Sequence, residues 1–156
     1  MNNKEFYHQD ILRIFPDIRP RTLISWGEKG LIKPLREAEN RGGKRIYSYN
    51  NLIEIAFVRE LFGYELPFKY VQSLMERGKP MTLKEIFKKE KYDTICFISY
   101  RMERTVDFAT LKAGRFPREV KCFPINNFKL EDITKYESGI IINISALRKF
   151  VDKSIA

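Results

Sequence analysis

Pro20-Arg21-Thr22-Leu23-Ile24-Ser25-Trp26-Gly27-Glu28-Lys29-Gly30 reads as a short helix with both ends marked. Proline in a first helical turn gives up only an N–H that the helix leaves unbonded, and a glycine past the last turn accepts the left-handed conformation. Leu23 and Trp26, three apart, set the inner face. Arg21, Thr22 and Ser25 fall on the outer side. Upstream, Phe6 to Phe15 carries apolar residues at Tyr7, Ile11, Leu12, Ile14 and Phe15, a helical spacing that Pro16 stops. The break Pro16-Asp17-Ile18-Arg19 between the two segments makes a helix-turn-helix.

Downstream, Leu31 to Leu35 and Lys44 to Tyr49 read as two strands. In the second, Ile46 and Ser48 alternate against Arg45, Tyr47 and Tyr49. Glu39-Asn40-Arg41-Gly42-Gly43 between them is turn-forming. Ser48 or Asn50 caps a third helix with Leu52, Ile55, Ala56 and Phe62 on its apolar face, ending at Gly63. Pro67 opens a fourth with Val71, Leu74 and Met75 inward and Gly78 behind it. Helix, turn, helix, basic hairpin and two more helices describe a winged helix-turn-helix.

Charge supports a polyanion as partner. The 156 residues hold 29 Lys and Arg against 20 Asp and Glu, a formal net charge of +9. From Arg19 to Tyr47 there are eight basic residues (Arg19, Arg21, Lys29, Lys33, Arg36, Arg41, Lys44, Arg45) against Glu28, Glu37 and Glu39. The remainder of the first 78 residues is net −2, so this stripe is local, as a binding footprint is. With 44% hydrophobic residues the chain can bury a core. No apolar run approaches the roughly 20 residues of a membrane span, and Met1 to Asp10 has no apolar leader stretch, so a cytoplasmic location is expected.

Arg21-Thr22-Leu23, Trp26, Gly30-Leu31-Ile32, Gly43-Lys44-Arg45-Ile46-Tyr47-Ser48 and Gly63-Tyr64 together resemble the DNA-binding domain of MerR-type transcription regulators. The resemblance runs from Ile11 to Met75. It implies a sequence-specific regulator of double-stranded DNA, acting as a homodimer. Three positions depart from the family pattern: Ile24 stands where it usually has Arg, Ser25 where it often has Tyr, and Gly27 where it has Glu. No family role therefore passes to Ile24. Excisionase-like architectural DNA-bending proteins share the winged fold and are the alternative.

The second half reads as a small α+β domain. Thr82-Leu83-Lys84-Glu85 is a capping box opening a helix to Lys91, far shorter than the coiled-coil helix that MerR-type regulators usually carry there. Thr94 to Met102, Thr105 to Lys112 and Val120 to Ile125 are strand candidates. Asn126-Asn127 is a turn, Leu130 to Tyr136 a short helical stretch, Ile140-Ile141-Ile142 a buried strand, and Ser145 to Ile155 a final helix with Leu147, Phe150 and Val151 inward. The expected fold class is α+β. A winged helix-turn-helix over residues 1–78 is followed by an α+β domain over residues 79–156, which serves dimerisation, an effector, or a protein partner such as RNA polymerase.

The DNA contacts expected from this pattern are Arg19, Arg21, Thr22, Ser25 and Lys29 on the second helix and its flanks, and Arg41, Gly42, Gly43, Lys44, Arg45 and Tyr47 in the wing. Arg forks onto guanine O6 and N7, and Thr and Ser reach bases or phosphates through short hydroxyls. Arg45 and Tyr47, alternating to one face, are expected to meet phosphate oxygens. Trp26 is read as core, bracing the helix against the wing. His8, the only histidine, is read as surface or first-helix packing, and Cys96 and Cys122 as small buried hydrophobes on two strands. No metal or other cofactor is expected from so sparse a set of ligands. No phosphate loop, G-x-S-x-G or H-E-x-x-H occurs, so the protein reads as a non-enzyme. A single-stranded-RNA reader is disfavoured, because the K/R-G-F/Y signature is absent from the aromatic-bearing second half.

Overall fold

The computed structural model describes residues 4–38, 43–77, 94–100, 117–134, 136 and 138–156. The elements run β1 (Phe6–Tyr7), α1 (His8–Ile14), α2 (Pro20–Glu28), β2 (Ile46–Tyr47), α3 (Tyr49–Gly63) and α4 (Phe68–Arg77). They continue with β3 (Thr94–Tyr100), β4 (Pro117–Pro124), a 3₁₀ turn (Ile125–Asn127), α5 (Glu131–Thr134), β5 (Gly139–Asn143) and α6 (Ile144–Ile155). Helix and sheet are mixed, as expected.

The chain divides into two compact units, residues 1–64 with 146–156, and residues 65–145. This differs from the boundary expected at Gly78. In the first unit α3 is the central element: every residue from Asn51 to Val58, and Leu61, is buried. A helix covered on all sides shows no clean amphipathic stripe, because it has neighbours all round. Ser48 caps it, its Oγ accepting from the Asn51 N–H at 3.2 Å while Asn51 Oδ1 accepts from the Ser48 N–H at 3.0 Å. The final helix joins this unit from Ala146 onward. The Phe150 ring lies 5.7 Å from that of Phe15, the Tyr49 hydroxyl donates to Asp152 at 2.7 Å, and Val151 is fully buried. Phe150, expected inward, is 40% exposed. These contacts join residues more than a hundred positions apart, so no local pattern announces them.

Helix α2 ends as its sequence requires. Gly30 adopts φ +72°, its N–H donates to Gly27 O at 3.0 Å, and the Leu31 N–H reaches back to Trp26 O at 2.9 Å. This is a Schellman cap, with Leu31 and Trp26 both buried beside it. It also explains why the strand expected over Leu31 to Leu35 does not form. The Leu31 and Ile32 N–H groups are taken by the helix end, and Pro34 has none to give. Pairing resumes only at Arg36, which exchanges two backbone hydrogen bonds with Ile46 at 3.1 and 3.0 Å. Phe6 and Tyr7 are strand rather than helix, pairing with Tyr47 and Ile46. Helix α1 starts one residue later, with Asp10 accepting from the Tyr7 N–H at 2.8 Å.

In the second unit three antiparallel strands are ordered β4-β3-β5. The central strand is covered on both faces, with Ile95, Cys96, Phe97, Ile98 and Ser99 all buried. On β5, Ile140 and Ile142 are buried while Ile141 is 43% exposed, so the expected buried run is one-sided. Helix α4 packs against β4 and buries Tyr70, Val71, Leu74 and Met75. The helix expected from Leu83 to Lys91 and the strand expected from Thr105 to Lys112 lie outside the described residues.

Candidate nucleic-acid interface

Helix α2 is anchored from behind. Leu23 is fully buried, and the Trp26 ring stacks on Phe62 of α3 at 5.4 Å and 15°. Trp26 is thus core, as expected, but its partner is α3 rather than the wing. The turn before α2 is tied to α3 by Asp17, which accepts from Arg59 Nε at 2.6 Å, and this bond holds the Asp17 carboxyl below its ordinary range. With its inner face fixed, α2 exposes Arg19, Arg21, Ile24, Glu28 and Lys29, while Thr22 and Ser25 are half-buried. Arg19 stands at the N-cap of α2 and Arg21 lies in its first turn, where the helix dipole favours anions.

The hairpin behind α2 is organised by Arg45. Its Nε donates to Glu37 at 2.9 Å. A Cβ at Gly27 would stand 3.0 Å from Arg45 Nη1, so the glycine lets the guanidinium approach α2 closely. Burial, with Arg45 nearby, pushes the His8 imidazole below its usual pKa, which keeps the ring neutral beside this cation. Asn51 secures the same region from below. Its amide donates to Lys33 O and to Glu54, both at 2.9 Å, and Asn51 and Glu54 are buried.

The wing departs from its expected alternation at Tyr47. The side chain is 1% exposed, and burial pushes its phenol up while Arg45 opposes the shift. Ile46 and Tyr47 are both buried, because a two-residue strand covered on both faces has no outward side. Tyr47 therefore cannot share an exposed face with Arg45 and is a core residue. Arg45 itself is only partly exposed and already ion-paired. Gly43 and Lys44 are exposed, with Lys44 Nζ 5.7 Å from the Tyr7 ring centroid. Arg41 and Gly42 lie outside the described residues.

Two features of this surface went unread in the sequence. One is Ile24, 40% exposed on the same helical face as Arg21. The other is the Glu37–Arg45 pair. The missing family Arg at position 24 pointed to the first, whereas nothing local marked the second.

Residues 17–78 match the family model described as the MerR HTH family regulatory protein. The resemblance drawn from Ile11 to Met75 holds over nearly all of its length. No match is found among curated proteins.

Proposed function

Starting from a MerR-type helix-turn-helix segment at residues 17–78, we propose that the protein is a sequence-specific regulator that binds duplex DNA as a homodimer in the cytoplasm. The observation that carries this reading is α2 itself. It is locked on its inner side by Leu23 and Trp26 and presents Arg21, Ile24 and Ser25 outward, with a hairpin cation held beside Gly27. Such a helix suits the major groove of B-form DNA, whereas the deep, narrow major groove of A-form RNA would exclude it. Arg19, Arg21, Thr22, Ser25, Lys29, Gly43, Lys44 and Arg45 are the contacts proposed among the described residues. Selection of bound fragments from random duplex DNA, with RNA as competitor, tests the reading; equal capture of RNA would overturn it.

A homodimer is expected because one module reads only a few base pairs, and genomic selectivity calls for two half-sites about one turn apart. Dimer contacts are proposed to come largely from residues after Gly78. Sedimentation equilibrium of the full chain should give twice the monomer mass, and a monomer at micromolar concentration would refute the expectation.

Helix and hairpin should respond differently to mutation. Arg21→Ala should cost about 1–3 kcal/mol on the selected site and relax preference at one base position. Arg45→Ala should weaken all sequences alike and lower the salt slope by about one or less, since Glu37 already shares its charge. Glu37→Gln should tighten binding uniformly by releasing Arg45. A base-substitution scan at two salt concentrations separates these outcomes.

Ile24 offers an apolar side chain where an Arg would seek guanine. Contact with the C5-methyl of thymine is the base readout open to it. Replacing thymines of the selected site singly by deoxyuridine should weaken the native protein at one position per half-site, and Ile24→Ala should abolish that sensitivity. Equal loss in both proteins would remove Ile24 from base readout.

A further inference from the structure

Cys96 on β3 stands directly opposite Cys122 on β4 in the antiparallel register. Residues so paired point to the same face of a sheet, with Cα atoms about 4.5 or 5.5 Å apart depending on the type of pair. Both separations fall within the roughly 4.4–6.8 Å that a disulfide spans. Both cysteines are free thiols, Cys96 fully buried and Cys122 partly exposed. The neighbouring Cys122 thiol, together with burial, pushes the Cys96 thiol well above its ordinary range. The opposite neighbour of Cys96, Ile142 on β5, is apolar and buried, so Cys122 is the reactive side chain set across from it.

We propose that Cys96 and Cys122 form a reversible thiol–disulfide site whose oxidant is a small-molecule disulfide of the glutathione class. Exposure sets the order of the two steps. The Cys122 thiolate attacks one sulfur of the small disulfide, giving a mixed disulfide and expelling one small thiolate. The Cys96 thiolate then attacks the Cys122 sulfur, closing the protein disulfide and expelling the second. Each cysteine loses one proton, taken up by an expelled thiolate. One protein dithiol and one small disulfide thus give one protein disulfide and two small thiols. The second step requires the buried Cys96 as thiolate, so its rate should rise with pH across the alkaline range.

The fold makes this pair different from any two cysteines of the same spacing. In the unfolded chain closing the loop between positions 96 and 122 costs conformational entropy. In the folded sheet the register has already brought the two Cα atoms together. The factor by which folding favours the disulfide equals the factor by which the disulfide favours folding, because the two equilibria are linked.

The test uses the full-length protein equilibrated with mixtures of reduced and oxidised glutathione, quenched in acid, alkylated, and read by intact mass. The same series is run in urea at a concentration that unfolds the chain. The expected result is a monomer lacking two hydrogens and carrying no alkyl group. Its equilibrium constant should be at least about 10²-fold larger in the folded protein than in urea. Cys96→Ser should stop at the mixed disulfide on Cys122, and Cys122→Ser should react far more slowly. A folded-state constant equal to or below that in urea would overturn the proposal, since the sheet would then merely bury two thiols. Disulfide-linked dimers in place of the intrachain bond would overturn it equally.

Discussion

Raising the salt from 50 to 200 mM should weaken binding to the selected duplex by about 10³ to 10⁵-fold, if a dimer makes six to ten phosphate contacts. The cause is release of counterions condensed on DNA, one set for each phosphate neutralised by a Lys or Arg. On the proposed reading, the exposed cations Arg19, Arg21, Lys29 and Lys44 of each chain would supply most of these contacts. Arg45 contributes less than a free cation, because Glu37 at 2.9 Å must be given up or shared. The slope of log affinity against log salt should therefore steepen in Glu37→Gln and flatten in Arg45→Ala. Fluorescence anisotropy of a labelled duplex over this salt range measures it. A slope near zero would mean that α2 and the hairpin do not meet a phosphate backbone at all.

Trp26→Ala should be the most damaging substitution in the first unit, at about 3–5 kcal/mol. The residue is 6% exposed and its ring stacks on Phe62. Removing the indole opens a cavity between α2 and α3. Against total stabilities of about 5–15 kcal/mol, such a loss removes a large share of the stability that holds α2 in place, and DNA binding should weaken with it. Trp26→Phe keeps an aromatic face against Phe62 and should retain binding. Urea unfolding followed by circular dichroism gives the difference directly. A midpoint unchanged in Trp26→Ala would show that α2 is not held through this ring.

Helix α2 has an inner and an outer side, and only the inner one is fully legible in the sequence. Leu23 and Trp26 are assigned inward by a three-residue spacing, and both are buried. The outer side is legible by exclusion for Arg21 and Ser25. It is not legible for Ile24, because an isolated exposed isoleucine has no pattern of its own. In the hairpin, period-two alternation placed Tyr47 beside Arg45 on an open face. That rule assumes one wet face and one dry one, and here Phe6 and Tyr7 pair along β2 while both of its side chains are buried.

Wherever a feature depends on bonds within a few residues, the amino-acid order alone determined it. Pro20 and Gly30 bound α2, Ser48 caps α3, and the stripe of cations from Arg19 to Arg45 favours a polyanionic partner. The tertiary structure alone decided the remainder: Trp26 on Phe62, Arg45 between Glu37 and Gly27, the final helix with the first unit, and Cys96 across from Cys122. Those choices are made by packing and register between segments distant in the chain. Many partners satisfy the same local propensities, and only the assembled core selects among them.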